Sequence, residues 1–260
     1  MPDLGYTQDE LMTIAAARRL RNDMVCFVGI GIPSAAANLA RLTHAPNVIL
    51  IYESGTIGTR PKVLPLSIGD GELAESADTV VSVPEIFRYW LQGGRIDVGF
   101  LGAAQIDHFA NLNSTVIGDY QKPKVRLPGA GGAPEIASGA KEVVIVLSQT
   151  RKTFVSKIDF VTSSGLTKTT DEECGETKRN YRPRTVITDL GVMESDPLTG
   201  ELVLTEIHPG ITPRQVQAAT GWDLRLSVNL ATTPGPSELE LVTLRDLKRR
   251  TALAHAKRAS

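Results

Sequence analysis

The sequence predicts an α/β protein built on a single open, mostly parallel sheet flanked by helices. Three observations carry that expectation. Short apolar, β-branched runs recur at residues 24–28, 48–52, 96–101 and 143–147, as strands buried on both faces would read. Helix-start signals, such as Thr7-Gln-Asp-Glu10 and Ser237-Glu-Leu-Glu240, lie between or beyond those runs. The glycines and prolines cluster just past the strand-like runs, which marks tight loops at strand ends rather than disorder.

Taken in order, Thr7-Gln-Asp-Glu10 is a capping box opening a helix with Leu11, Ile14 and Ala15 on one side and Arg18 and Arg19 near its end. Residues 24–28 form a short strand, and Gly29-Ile-Gly-Ile-Pro33 turns it into a helix expected to be capped by Ser34 and to run through Leu42. Residues 48–52 are the second strand, completing a β-turn-α-β unit. Residues 55–78 read as loop. Residues 79–83 read as strand, and Pro84 suits the first turn of a helix running through Gln92 and closed by Gly93 and Gly94. The strand at 96–101 ends in Gly-Ala-Ala-Gln-Ile-Asp107, and Asn111-Leu-Asn-Ser-Thr115 is rich in side chains that bond backbone. Lys122, Lys124 and Arg126 lead into Gly129-Ala-Gly-Gly132, with a short helix from about Pro134. Residues 163–182 read as an exposed, charged excursion. Residues 185–193 and 201–207 are strands around Asp196-Pro-Leu-Thr-Gly200, a hairpin signal, and Thr212-Pro213 starts a helix that Gly221 ends. The domain boundaries expected are 1–250 for one folded domain and 251–260 for a basic tail that frays.

Bulk properties exclude several classes. A net charge of −1 over 260 residues creates no field for nucleic acid or an anionic membrane. No apolar run approaches the roughly 20 residues of a membrane helix. The two cysteines, Cys26 and Cys174, lack framework spacing, and the four histidines (His44, His108, His208, His255) lack metal-ligand spacing. These features point to the cytoplasm and to a site without metal.

The candidate reacting group is Glu53. It ends the buried run at 48–52, before Ser54 and Gly55, where open α/β folds bind ligands beyond the carboxyl ends of their strands. The plainer reading is a solvated acid at a strand end. Gly29, Gly31 and Glu53 sketch a dinucleotide site, with an acid about 20 residues past the glycines. Ser34 stands where the third glycine belongs and Pro33 interrupts the turn, so that fingerprint is incomplete. Tyr52 occupies the glycine position that a nucleophile elbow around Ser54 would need. Gly129-Ala-Gly-Gly132 lacks a phosphate-loop lysine, but its backbone N–H groups at a helix start can hold an oxyanion, unless the glycines serve packing alone. The three cations before it read better as strand decoration than as an anion site.

Together, Val-Gly-Ile-Gly-Ile-Pro33, Tyr-Glu-Ser-Gly55, Gly-Ala-Ala-Gln-Ile-Asp107 and Gly-Ala-Gly-Gly-Ala133 resemble the B (β) subunits of family I coenzyme A transferases over roughly residues 8–250. Ala-Ala-Ala-Arg-Arg-Leu20, Leu-Pro-Leu-Ser-Ile-Gly-Asp-Gly-Glu-Leu-Ala74 and Phe-Arg-Tyr-Trp-Leu-Gln-Gly-Gly94 look most like the branch acting on 3-oxoadipate in aromatic catabolism, and the glutaconate branch shares the skeleton. The charged stretch at 164–182 departs from the family pattern. The resemblance implies Glu53 as covalent nucleophile, Gly131 and Gly132 as oxyanion donors, and weaker roles in binding substrate or CoA for Gly29, Gly31, Ser54, Gly55 and Gln105. It implies coenzyme A as substrate and transient thioester rather than a resident cofactor, and a CoA-transferase A (α) subunit as partner. Other classes left open are a CoA-thioester hydrolase and a dinucleotide-binding oxidoreductase.

Overall fold

A computed structural model describes residues 5–165, 167–170, 177–180 and 182–259. The chain packs as two compact units, Met1–Phe100 with Gly235–Ser260, and Leu101–Pro234.

In the first unit, α1 (Gln8–Ala17) begins at the expected capping box: the Glu10 N–H donates to Thr7 Oγ1 at 3.1 Å and the Thr7 N–H to Glu10 Oε2 at 2.8 Å. β1 (Val25–Val28), α2 (Ile32–Leu42) and β2 (Ile49–Tyr52) form the βαβ unit, with β1 and β2 parallel from Val25↔Ile49 to Val28↔Tyr52. Leu50, Ile51 and Tyr52 are fully buried, as an apolar run in a parallel sheet should be; each such side chain contributes about 1.5–3 kcal/mol. The stretch read as loop at 55–78 contains β3 (Thr56–Ile57) and α3 (Gly71–Glu75), the latter capped by the Asp70 carboxylate accepting from the Glu72 N–H. Both elements are too short to show a period. The strand expected at 79–83 shrinks to β4 (Thr79–Val80), because Ser82 and Glu85 form a capping box for α4 (Val83–Glu85). The helix then widens into a π-helical turn, Ile86–Leu91, with the Gln92 N–H bonding the Phe87 carbonyl. β5 (Val98–Leu101) lies parallel to β1, so the sheet of this unit runs β5-β1-β2-β3-β4 with β3 and β4 antiparallel.

In the second unit, β6 (Gln105–Ile106) pairs with β7 (Leu112–Asn113), and β8 (Val116–Gly118) with β9 (Pro123–Arg126). Ladders of two to four residues leave no strand pattern in the sequence. The backbone-bonding side chains read there do form the turns: Asp107 accepts from the N–H groups of Phe109 and Asn111, and Asn113 from those of Thr115 and Val116. After α5 (Ala133–Gly139) comes β10 (Glu142–Val146). The charged excursion holds an antiparallel ribbon, β11 (Thr167–Thr170) with β12 (Thr177–Asn180); Cys174 and its acidic neighbours lie outside the described residues. β13 (Arg184–Ile187) is parallel to β10, and β14 (Gly191–Ser195) and β15 (Leu202–Ile207) are antiparallel neighbours around the predicted Asp196-Gly200 turn, in which Asp196 Oδ1 accepts from Leu198 and Thr199. α6 (Pro213–Ala218) starts at a Thr212–Gln215 capping box. β16 (Arg225–Thr232), parallel to β15 and at the sheet's margin, has no counterpart in the sequence expectations. Its register jumps between Leu204 and Glu206, and Val228 is 98% exposed, so no clean alternation marks it. The order here is β10-β13-β14-β15-β16. The first unit thus has parallel pairing beside an antiparallel margin and the second has parallel pairs on either side of an antiparallel stretch, within the open, mostly parallel α/β class expected.

The chain returns to the first unit as α7 (Glu238–Ala259), entered at the second capping box through the Ser237 and Glu240 side chains. The tail expected to fray at 251–260 is instead helical through Ala259: Thr251 Oγ1 accepts from the Leu64 N–H at 2.9 Å, and His255 Nε2 donates to the Leu64 carbonyl at 3.1 Å. Ion pairs bind α7 to the N-terminal region, Arg245 to Glu10 and Arg18 to Glu240, each at 2.7 Å, and Lys248 to Asp9 at 3.6 Å. The Arg245 hydrogen bond holds Glu10 down at about 2. Burial raises the Glu240 carboxyl, but Arg18 and Ser237 outweigh it and leave Glu240 at about 2 as well. Carboxyls depressed by folding contribute stability above their unfolded value of 4.5 and lose it as pH falls toward 2. Thermal melts of the wild type should therefore fall across that window. In Glu10→Gln/Glu240→Gln that fall should flatten, by less than the full shifts imply because both arginines are partly exposed.

Candidate functional site

At the carboxyl ends of β1 and β2 the register Val28↔Tyr52 makes the next residues, Gly29 and Glu53, leave the sheet side by side. Gly29, Gly31, Glu53, Ser54 and Gly55, all named from the sequence, are therefore brought together by one parallel pairing. Gly31 sits at φ +81° and ψ −131°, a conformation that a residue with a Cβ avoids, and it is the N-cap of α2. This corrects the expectation that Ser34 caps the helix. Proline in the first turn fixes the helix start, and the serine hydroxyl is used elsewhere.

It bonds the Tyr52 phenol, Oγ to Oη at 2.8 Å. Asn38 Nδ2 approaches the same phenol at 3.5 Å and donates to the Ser34 carbonyl at 2.9 Å. Arg41 donates to Asn38 Oδ1 at 3.2 Å and to the Pro61 carbonyl at 3.0 Å. Ser34, Asn38 and Tyr52 are essentially inaccessible to solvent, and burial pushes the phenol up to about 12 against the lowering effect of its two hydrogen bonds. Sequence reasoning missed this network; its trace is a pair of polar residues one turn apart, 34 and 38, in an otherwise alanine-rich helix.

Glu53 and Ser54 are the central residues of a turn closed by the Gly55 N–H on the Tyr52 carbonyl at 3.0 Å. Gly55 has φ +101°, and a Cβ there would overlap the Val81 carbonyl, whose residue in turn donates its N–H to the Gly55 carbonyl at 2.9 Å. The Glu53 side chain is half-buried and, among the described residues, no hydrogen bond or ion pair holds its carboxylate. The hydroxyls of Ser54, Thr56 and Thr59 are buried without partners in the same hairpin. An unpaired carboxylate among unsatisfied hydroxyls is a site arranged for something other than the fold itself.

In the second unit the glycine loop is tied down by Ser114, whose carbonyl accepts from the Gly129 N–H at 2.9 Å and whose Oγ donates to the Gly129 carbonyl at 2.8 Å. Gly131 (φ +50°) is exposed and Gly132 is the N-cap of α5. The far end of α5 is held by Arg182 on the Gly139 and Ala140 carbonyls and by buried Arg184 on that of Ala137. Gln105 is buried and its amide is engaged by Asn113 and Asp159, which makes it a strut of the β6–β7 hairpin. Lys122 and Lys124 are exposed, and Arg126 lies over the Tyr120 ring at 4.7 Å, so these cations decorate a strand as read. A separate cavity of about 170 Å³, lined by His108, Trp222, Asp223 and Arg225 among others, sits where β15 and β16 begin and holds none of the candidate site residues. Among the described residues no helix is long and apolar enough to cross a membrane, and no group of three or more His, Cys, Asp or Glu is placed to hold a metal.

The sequence pattern of the family described as Coenzyme A transferase matches residues 10–219. The chain belongs to the coenzyme A transferase family. Within it, the B subunit of the 3-oxoadipate CoA-transferase of Pseudomonas knackmussii is 61% identical over 251 residues, 96% of either chain. The B subunit of the glutaconate CoA-transferase of Acidaminococcus fermentans is 33% identical over 249 residues, covering 92% of this chain and 91% of that one. The crystal structure of the A. fermentans glutaconate coenzyme A-transferase matches with a TM-score of 0.83 at 30% identity, over 93% of this chain and 94% of that one. This coenzyme A transferase chain therefore acts on CoA as a substrate, as its motifs lead one to expect.

Proposed function

We propose that this chain is the B subunit of a CoA transferase that moves CoA from succinyl-CoA to 3-oxoadipate, working with an A subunit in the cytoplasm. The observation that carries the acceptor is the 61% identity, over nearly the full length, to a subunit of a 3-oxoadipate CoA-transferase. For the chemistry, support comes from Glu53, an unpaired carboxylate on a rigid turn beyond a parallel strand.

In the first half-reaction the Glu53 carboxylate attacks the thioester carbonyl of succinyl-CoA. The C–S bond breaks, giving a mixed anhydride and CoA thiolate. The thiolate then attacks the Glu53 carbonyl, and succinate leaves with its carboxylate restored. The product is a glutamyl-CoA thioester on Glu53. The acceptor carboxylate repeats both steps in reverse and frees Glu53, with no net proton consumed. Each step passes through a tetrahedral oxyanion, which backbone N–H donors stabilise. One donor of this kind is worth about 3 kcal/mol. A carboxylate is a weak nucleophile, so partial burial and freedom from counter-ions help it.

The test is a panel of carboxylic acids offered with succinyl-CoA to the A–B complex. Turnover with 3-oxoadipate should exceed that with glutaconate by at least about 100-fold in kcat/KM, the scale a dedicated polar pocket imposes. Preference for glutaconate would reassign the acceptor. Steady release of CoA with no acceptor present would make the enzyme a thioester hydrolase.

A further inference from the structure

We propose that Tyr52 is the positioning residue for Glu53: its phenol pins the carboxyl end of β2 to the first turn of α2, and its carbonyl closes the turn that aims the carboxylate. The inference rests on the reading of Glu53 as nucleophile.

Nothing holds the Glu53 side chain itself among the described residues, so its direction is set through the backbone. Tyr52 grips that backbone twice. Its carbonyl accepts the Gly55 N–H at 3.0 Å, fixing the turn, and its hydroxyl bonds Ser34 at 2.8 Å, fixing the strand end against the helix. From Asn38 the same lock extends through Arg41 to the Pro61 carbonyl, past the hairpin that follows Glu53. The lock therefore encloses both chain segments leaving the Glu53 turn.

Packing alone does not explain the hydroxyl. A phenylalanine would fill the same buried space, and with an apolar residue at 34 as well the fold would lose little. Ser34 is likewise drawn away from the cap position the sequence suggests. Polar atoms retained in a dry interior, each satisfied by the next, give one arrangement where an apolar core would tolerate several. A nucleophile that must meet a thioester carbonyl within a few tenths of an ångström needs that single arrangement.

The experiment uses the A–B complex carrying Tyr52→Phe, Ser34→Ala, or both, with kcat, KM, melting temperature and the fraction of Glu53 sites trapped by borohydride, which reduces the glutamyl-CoA thioester to a primary alcohol and releases CoA. Each single variant is expected to lower kcat about 10-fold, with KM for the acyl-CoA within twofold and an unchanged trapped fraction at long incubation. The double variant should be no slower than Tyr52→Phe alone, because both remove one lock. The proposal is overturned if turnover stays within twofold, if the losses multiply, if KM rises instead, or if kcat falls only in proportion to trapped sites. Should Tyr52→Phe fail to fold, Ser34→Ala decides by the same criteria. Absence of any trapped Glu53 in the parent complex overturns the nucleophile assignment instead, and normal trapping in the parent with unaltered variants overturns only the positioning role.

Discussion

Glu53→Gln should lower CoA transfer by about 10⁴-fold or more while leaving the complex folded and able to bind acyl-CoA, as removal of a covalent nucleophile does elsewhere. The physical basis is narrow. Glutamine keeps the volume and the polarity of the side chain, and the Glu53 carboxylate takes part in no ion pair or hydrogen bond, among the described residues, that the fold would lose. Stability should consequently change by less than about 0.5 kcal/mol, the scale for a substitution outside any structural network. Activity and stability are thereby separated at one position. Mass spectrometry after incubation with acyl-CoA should find a CoA adduct on the parent chain at Glu53 and none on the variant. Turnover in the variant within 10-fold of the parent would remove the covalent mechanism.

Gly55→Ala is expected to be strongly disruptive for a single-methyl change. The added Cβ would overlap the Val81 carbonyl oxygen, and backbone rather than a flexible side chain must yield. The conformation at φ +101° is also one that alanine avoids. Strain of this kind and the loss of the bond from the Val81 N–H to the Gly55 carbonyl at 2.9 Å together should cost about 3 kcal/mol or more. The turn that carries Glu53 shares that glycine, so activity should fall beyond what the lost stability explains. Denaturant unfolding and kcat on the residual folded enzyme measure the two effects. A variant with wild-type stability would mean that the hairpin at 52–58 can relax away from Val81.

The two positions differ in how far the sequence reveals them. Glu53 is visible there because an apolar run breaks at a carboxylate followed by Ser54 and Gly55, a local pattern that needs no knowledge of distant residues. Gly55 is visible only as a turn glycine. That its α-carbon abuts the Val81 carbonyl depends on the pairing of β3 with β4, which nothing in the sequence announces. The capping boxes at Thr7 and Ser237 are legible because cap and acceptor sit three residues apart, and the helix start at Thr212 because Pro213 follows it. Ser34 misleads because capping propensity is local, whereas the Tyr52 phenol that claims its hydroxyl lies on a strand beyond the helix.

The same division runs through the whole chain. By itself the sequence determined what depends on near neighbours: buried parallel strands at β1, β2 and β10, most of the helix starts, and the Asp196-Gly200 turn. Only the tertiary structure decided the short ladders β3, β4 and β6 to β9, the marginal strand β16, the helical course of 251–259 and the polar lock behind Glu53. The short ladders pair near neighbours but are too short to show a period, whereas β16, the C-terminal helix and the lock are made by partners farther along the chain. The free energy that selects them, from Leu64 bonding Thr251 to Ser34 bonding Tyr52, exists only once the intervening chain has folded.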